Sequence, residues 1–433
     1  MNNSILINYG SVDMKIKNRI LVDSIFLILA SIMFLIFIQI GSTFDQKLYP
    51  GLLILEMLLF IKVNDFKLIN INSAFVGCLT IYFLFGPIVY MLEGRIVETN
   101  LFIINIAFIL YIFGIFFNKK LKFKKHLKTN IIKYNGVFDS KVGPFVLYFI
   151  SCFASLYYIF INRNFLFSNL ETGRVEAMSG NGILLLLIKC FIVSVPMLYS
   201  EYKKNKISKS IFWTLLICSI FLTFSIGYKA SSLTICIVIA LMYCRYEKLL
   251  LKKIIKILFL CFLLIFFFDF IRASFSDTKF NLLEKVINNM SVGFYNYERI
   301  VYWFPKNKEY QFGYTFLINL KMLLPGPDLD FTLWLKETLQ MNFAGGGTVP
   351  TIFGELYLNF SFIGVFLGMI IIGFLSESIS YLYKREGFKW YICLISWQFI
   401  HSVTGGFSNT IVDTLLLLGI GFFISLLEKR TGD

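Results

Sequence analysis

Time after time along this chain an apolar run continues for the thickness of a bilayer's hydrocarbon core before a polar or basic segment interrupts it. A run of about 20 such residues crosses a membrane as a helix, whereas barrel strands need about 10 residues of strict alternation, a pattern these runs lack. The fold class is therefore an all-α polytopic membrane protein. Spans are expected at roughly 21–40, 48–63, 72–92, 100–117, 144–161, 182–200, 210–226, 231–244, 254–271, 352–376, 389–404 and 409–427, about twelve in all. The second and eighth are short enough to be tilted, kinked or partly re-entrant. No small-residue cleavage site follows the first run, so it is expected to stay as an anchor.

Composition agrees: 57% of positions are hydrophobic, and the charged share of 15% lies well below the ~25% of soluble domains. Lysine and arginine gather in "KKLKFKKHLK" (119–128), "KKNKISK" (203–209) and "RYEKLLLKK" (245–253), which all fall on one side when the N-terminus is placed inside. Both termini are then expected in the cytoplasm. The net charge of +15 is read as topology and contact with anionic membrane lipids, not as nucleic-acid binding. The eight cysteines lie in or beside apolar runs with no CxxC spacing, which points to neither disulfides nor zinc. The whole chain, 1–433, is expected to be a single polytopic domain.

On the outer side, residues 272–349 form an excursion far longer than the ~12–15 residues that an unstructured loop normally reaches. "FNLLEKVINNM" (280–290) carries an apolar helical face, "YTFLINLKMLLPG" is strongly apolar, and "FTLWLKETLQM" is amphipathic again. These predict surface helices that together form a lid. Among the basic residues that remain outside against the charge bias are Arg163 and Arg174 in a smaller loop, Lys229 in "SIGYKASS", Arg272 one helical turn beyond Asp269, and Arg299. An arginine fork meets two phosphate oxygens at once, so this set suits a pyrophosphate at the membrane surface. Individually, each also reads as a solvated or snorkelling charge.

Charges inside the spans add a second clue. Glu56 and Lys189 each lie some 10–12 Å below an outer helix end, at 1.5 Å per residue, and could pair with each other. Intramembrane ionisable groups usually face partners or water, so a polar cavity opening outward is expected, which His401 and Asp413 would help to line. The remaining clue is "NFAGGGTVPTIFGELYLNFSFIGVFLG" (342–368). Gly345, Gly346 and Gly347 can present bare backbone N–H groups, and Thr348 is expected to cap a helix with Pro350 in its first turn, which together would favour an anion. Thr351, Glu355 and Asn359 then form a polar stripe, and Gly364 with Gly368 gives a GxxxG surface. Glu355 is a candidate base, with Glu298 of "NYERIVYW" as the next carboxylate. It also reads as a helix-end carboxylate that binds a nearby arginine.

"FGYTFLINLKMLLPG" followed by "GGGTVPTIFGELYLNFSFIGVFLG", placed after a long outer loop and before the last two spans, resembles the Wzy-type oligosaccharide repeat-unit polymerases that build O-antigens and capsules. "SIGYKASSLTICIVIALMYC" fits the same family, although Lys229 stands where an arginine is frequent there. The resemblance implies a GT-C-like architecture and a glycosyltransferase at the outer face of the bacterial cytoplasmic membrane. Its substrates would be undecaprenyl-pyrophosphate-linked oligosaccharides, with a chain-length regulator and a flippase of the same pathway as partners. No cofactor is implied, and no metal: "DLD" (328–330) comes without a nucleotide-binding domain. An O-antigen ligase is the nearer alternative but is expected to use a histidine in its large outer loop, where this chain has none. A lipid-linked oligosaccharide flippase or transporter is the other. It would often show related halves and broken midplane helices, neither of which is visible in the sequence.

Overall fold

The computed structural model describes residues 44–64, 70–92, 101–121, 142–163, 181–226, 229–247, 281–321, 331–343 and 346–431, together with 263 and 270. Among them every regular element is a helix. Six helices are long and apolar enough to cross a membrane: Ile71–Leu92, Phe102–Lys120, Gly143–Ile161, Gly182–Lys203, Ile352–Glu386 and Phe407–Glu428; Lys209–Ser225 and Ala230–Tyr246 are shorter and also apolar. The expected spans 21–40 and 254–271 fall outside the described residues, apart from isolated positions.

By compactness the chain divides into two units. The first holds α1 (Phe44–Val63), α2 (Ile71–Leu92), α3 (Phe102–Lys120), most of α9 (Leu282–Trp303) and the middle of α12 (Ile352–Glu386). In α2, Pro87 has no N–H to offer the carbonyl of Phe83 four residues before it, and the helix widens there into a π turn, Ile81–Phe85. The phenol of Tyr49, fully buried on α1, donates to that freed carbonyl instead. Gly114 of α3 and Gly373 of α12 let the two backbones touch: a Cβ on Gly114 would collide with Ile370, and one on Gly373 with the Tyr111 backbone.

At one end of this unit a buried polar chain links three helices, α2, α3 and α12. Asn72 donates to Glu377 at 2.8 Å, Ser376 donates to Asn72 at 2.8 Å, and Tyr111 meets Ser376 at 2.8 Å. Lys119 caps α1 through the Val63 carbonyl at 2.5 Å. Deeper in the unit, Glu56 accepts from Asn105 at 3.2 Å.

The expected span 352–376 is not one straight helix. At Phe360 (φ −138°, ψ 23°) and Ser361 (φ 58°, ψ −156°) the backbone leaves helical geometry. Leu356 then lies against both Gly364 and Gly368, with side-chain carbons 2.6 and 2.7 Å from where a Gly368 Cβ would stand. In a straight helix those two residues would be about 18 Å apart, so the chain doubles back at Ser361. The GxxxG surface thus receives a residue of its own helix.

The second unit gathers α4 (Gly143–Ile161), α5 (Gly182–Lys189), α6 (Phe191–Lys203), α7 (Lys209–Ser225), α8 (Lys229–Glu247), α10 (Tyr314–Lys321), α11 (Phe331–Thr338), α13 (Trp390–Gly405) and α14 (Phe407–Thr431), with the two ends of α12. A core of Tyr148, Phe191, Leu198, Phe212, Met242 and Trp390 joins α4, α6, α7, α8 and α13. Ser208 caps α7 by accepting from Ile211 at 3.3 Å, and Thr223 binds Ser232 at 2.7 Å across the α7–α8 turn. At the far end of α6 the Lys203 ammonium stands 5.6–5.8 Å from the rings of Tyr199, Tyr202, Tyr243 and Tyr246, which ties α6 to α8. Phe153 and Phe160 on α4 and Phe221 on α7 stay largely exposed, an outer surface suited to lipid chains.

Candidate functional site

The sequence predicts an open, anion-friendly helix N-terminus where the long loop meets α12, and the structure differs. The cap of α12 is Thr351, whose hydroxyl accepts from Gly354 at 3.3 Å, and not Thr348. Pro350 precedes the cap and lies outside the first turn. Thr348 is buried: its N–H donates to the Thr332 carbonyl at 2.8 Å and its hydroxyl to the sulfur of Met341 at 3.3 Å. Gly347 lies so close to Thr332 that no Cβ would fit. The glycine segment is therefore clasped to α11, and Gly346 beside it is half-buried. Sequence reasoning chose Thr348 because Thr-Val-Pro is a helix-start pattern; Thr351 carries the same signal without a proline.

Glu355, in the first turn of α12, is wholly buried. Its carboxylate lies at the N-terminus of α14. It accepts from the N–H of Phe407 at 2.5 Å and from the N–H of Ser408 at 3.1 Å, and the Ser408 hydroxyl donates to it as well. A helix N-terminus offers orphan N–H groups and the positive end of the helix dipole, so a carboxylate is well matched there. Gly406, at φ 83°, makes the turn between α13 and α14; a Cβ on it would stand 2.7 Å from Glu355 Oε2 and 2.8 Å from Pro350.

Helix α10 joins the same cluster. Thr315 donates to Glu355 Oε1 at 3.4 Å, and Asn319 donates to the Ser408 oxygen at 2.6 Å. All of these groups are buried, and the Oδ1 of Asn319 has no hydrogen-bond partner. The sequence reading missed Thr315, Asn319 and Ser408. Their only signal was polarity in otherwise apolar helices.

A second charged cluster lies on α5, α13 and α14. Lys189 donates to Asp413 at 3.0 Å. This corrects the expected Glu56–Lys189 pair, since each of those residues has another partner. His401 is within electrostatic reach of Asp413 and its ring lies 5.8 Å from that of Trp397, tilted by 33°. The indole N–H of Trp397 donates to Thr234 at 3.0 Å.

The cations singled out in the sequence are only partly described. Arg163 is exposed with its guanidinium 5.7 Å from the Phe160 ring, a snorkelling pose. Arg299 is half-buried on α9 beside the buried Glu298. Lys229 opens α8, while Arg174, Arg272, Gly345 and the DLD triplet fall outside the described residues. Among the described residues no three His, Cys, Asp or Glu side chains gather closely enough to hold a metal.

A helical membrane protein with a buried carboxylate held between helix ends fits several membrane enzymes, and the comparisons with known proteins decide among them. No curated protein and no solved structure matches the chain. The profile of O-antigen polysaccharide polymerase Wzy matches residues 22–430, nearly the whole length. The chain thus belongs to the Wzy family of O-antigen polysaccharide polymerases, membrane enzymes that join lipid-linked oligosaccharide repeat units.

Proposed function

We propose that this polymerase works at the outer face of the bacterial cytoplasmic membrane, moving a growing glycan from undecaprenyl pyrophosphate onto an incoming lipid-linked repeat unit. It does so as one polytopic domain of about twelve spans, with cytoplasmic termini, a GT-C-like arrangement, and residues 272–349 as the outer lid. A chain-length regulator and a flippase of the same pathway are its expected partners. The placement of Lys119 beside the end of α1 and of Lys203 at the end of α6 supports this orientation, because basic residues favour the cytoplasmic side.

The single observation that carries the chemical reading is Glu355 under the lid helix α10, ringed by donors. We assign it as the base for the acceptor hydroxyl. Phe407 and Ser408 hold the carboxylate in place, and the Thr315 hydroxyl, whose 3.4 Å contact is the longest of the set, occupies the position the acceptor hydroxyl would take. When α10 withdraws Thr315, the acceptor O–H can donate to Oε1. The acceptor oxygen then bonds to the anomeric carbon of the donor, the bond from that carbon to the pyrophosphate oxygen breaks, the carrier leaves with its electron pair, and the proton passes to Glu355. Arg272, Arg163, Arg174, Lys229 and Arg299 are the groups proposed to meet the pyrophosphate and glycan.

Glu355→Gln tests the assignment. The amide keeps one oxygen for the α14 N-terminus but takes no proton, so purified Glu355→Gln should bind lipid-linked repeat units and fail to extend them. Extension at the wild-type rate would refute the base role and leave Glu355 as a helix cap; Glu298 would be the next carboxylate to test.

A further inference from the structure

Lys189 closes α5, and Asp413 lies in the second turn of α14. Each is about 9–10 Å from the N-terminal end of its helix at 1.5 Å per residue, within the candidate spans Gly182–Lys203 and Phe407–Glu428. An ion pair that only braced helices at such a depth would be expected to be sealed, because a charge open to hydrocarbon is costly. This pair is not sealed: 33% of the Lys189 side chain and 37% of the Asp413 side chain stay accessible. The accessible side is therefore water-lined or takes a polar guest.

The chemistry of the pair says which guest. Together Lys189 and Asp413 are neutral, so an anion would be repelled by the carboxylate about as strongly as it is drawn by the ammonium. A pair of hydroxyls on adjacent ring carbons has the complementary pattern: one oxygen accepts from the ammonium while its neighbour donates to the carboxylate, and 3.0 Å between Nζ and Oδ1 suits their spacing. The His401 ring is within electrostatic reach of Asp413, and the Trp397 indole beside it is pinned by Thr234, so an aromatic pair adjoins the cluster. From this we infer that Lys189, Asp413 and the Trp397–His401 pair form a sugar-binding subsite for an uncharged, hydroxyl-bearing part of the glycan, separate from the cations proposed for pyrophosphate. The inference rests on the polymerase reading above and adds to it which part of the substrate this cluster holds.

The test uses the full-length protein in lipid nanodiscs and two probes: the repeat-unit oligosaccharide released from its lipid, and undecaprenyl pyrophosphate without sugar. The variants are Lys189→Met, Asp413→Leu and the double Lys189→Met/Asp413→Leu. Replacing both partners of an ion pair by apolar groups is often neutral for stability, so the double variant carries the test even where a single one fails to fold. It should bind the oligosaccharide at least about tenfold more weakly than wild type, while undecaprenyl pyrophosphate binding stays within about twofold. Wild-type oligosaccharide affinity in the folded double variant would reduce the pair to a brace and overturn the inference. Loss of undecaprenyl pyrophosphate binding alone would overturn it too, by marking a phosphate site. Failure of the wild-type protein to extend lipid-linked units would instead count against the polymerase reading, which the oligosaccharide measurement does not depend on.

Discussion

Two charged clusters lie in the apolar helices of the second unit, and they are built in opposite ways. Glu355 is fully buried and held by two backbone N–H groups and two hydroxyls. Lys189 and Asp413 hold mainly each other, and a third or more of each side chain is open. The difference teaches what a buried charge can be used for. A carboxylate surrounded by fixed donors shapes the helices around it, and substrate reaches it only by displacing one of them. An open one-to-one pair constrains little and can exchange partners freely.

The largest effect should separate the two clusters by stability. Glu355→Leu leaves two N–H groups and a hydroxyl buried without an acceptor, a loss of about 3–5 kcal/mol. The double Lys189→Met/Asp413→Leu variant should change stability by less than about 1 kcal/mol. Denaturant unfolding in mixed micelles checks the ranking, and the reverse order would break the comparison.

Gly406→Ala comes next. A side chain at φ 83° costs roughly 1–2 kcal/mol, and the added Cβ would press on Glu355 Oε2, so both stability and chain extension should fall. Unchanged extension at matched protein levels would show that the α13–α14 turn can move without disturbing Glu355. The smallest effect is expected from Thr315→Val, which removes only the longest contact to the carboxylate. Stability should change by less than about 1 kcal/mol and extension should persist. An inactive but folded Thr315→Val would mean that this hydroxyl does more than hold the place of the acceptor.

Much of the architecture was legible because hydrophobic run length reports directly on bilayer thickness. The apolar helices 71–92, 102–120, 143–161 and 407–428 match runs read from the sequence to within a few residues. Glu355 was also legible as a carboxylate where an apolar helix begins. Its partners were not, since Phe407 and Ser408 lie more than 50 residues further along the chain. The expected option of a Glu56–Lys189 pair differs from the observed Lys189–Asp413 pair for a definite reason: depth along a helix can be counted from sequence, but the direction a side chain takes around the axis is decided by packing. Asp413 satisfies the same depth criterion as Glu56. The break at Phe360 and Ser361 carries no proline or glycine of its own, and its cause, the seat that Gly364 and Gly368 offer to Leu356, involves contacts rather than local propensity.

That fold-back also bears on how such a chain can diversify. Where the long arm of such a hairpin crosses a membrane, the short arm that returns along it adds no crossing of its own, so residues on either side of the short arm would be counted on the same face by any reporter fused to them. Lengthening or shortening the short arm by a turn would raise or lower whatever it carries at its tip while every later helix keeps its direction. Ser361 therefore separates two properties that are normally bound together in a membrane protein, the depth of a site and the parity of the spans that follow it.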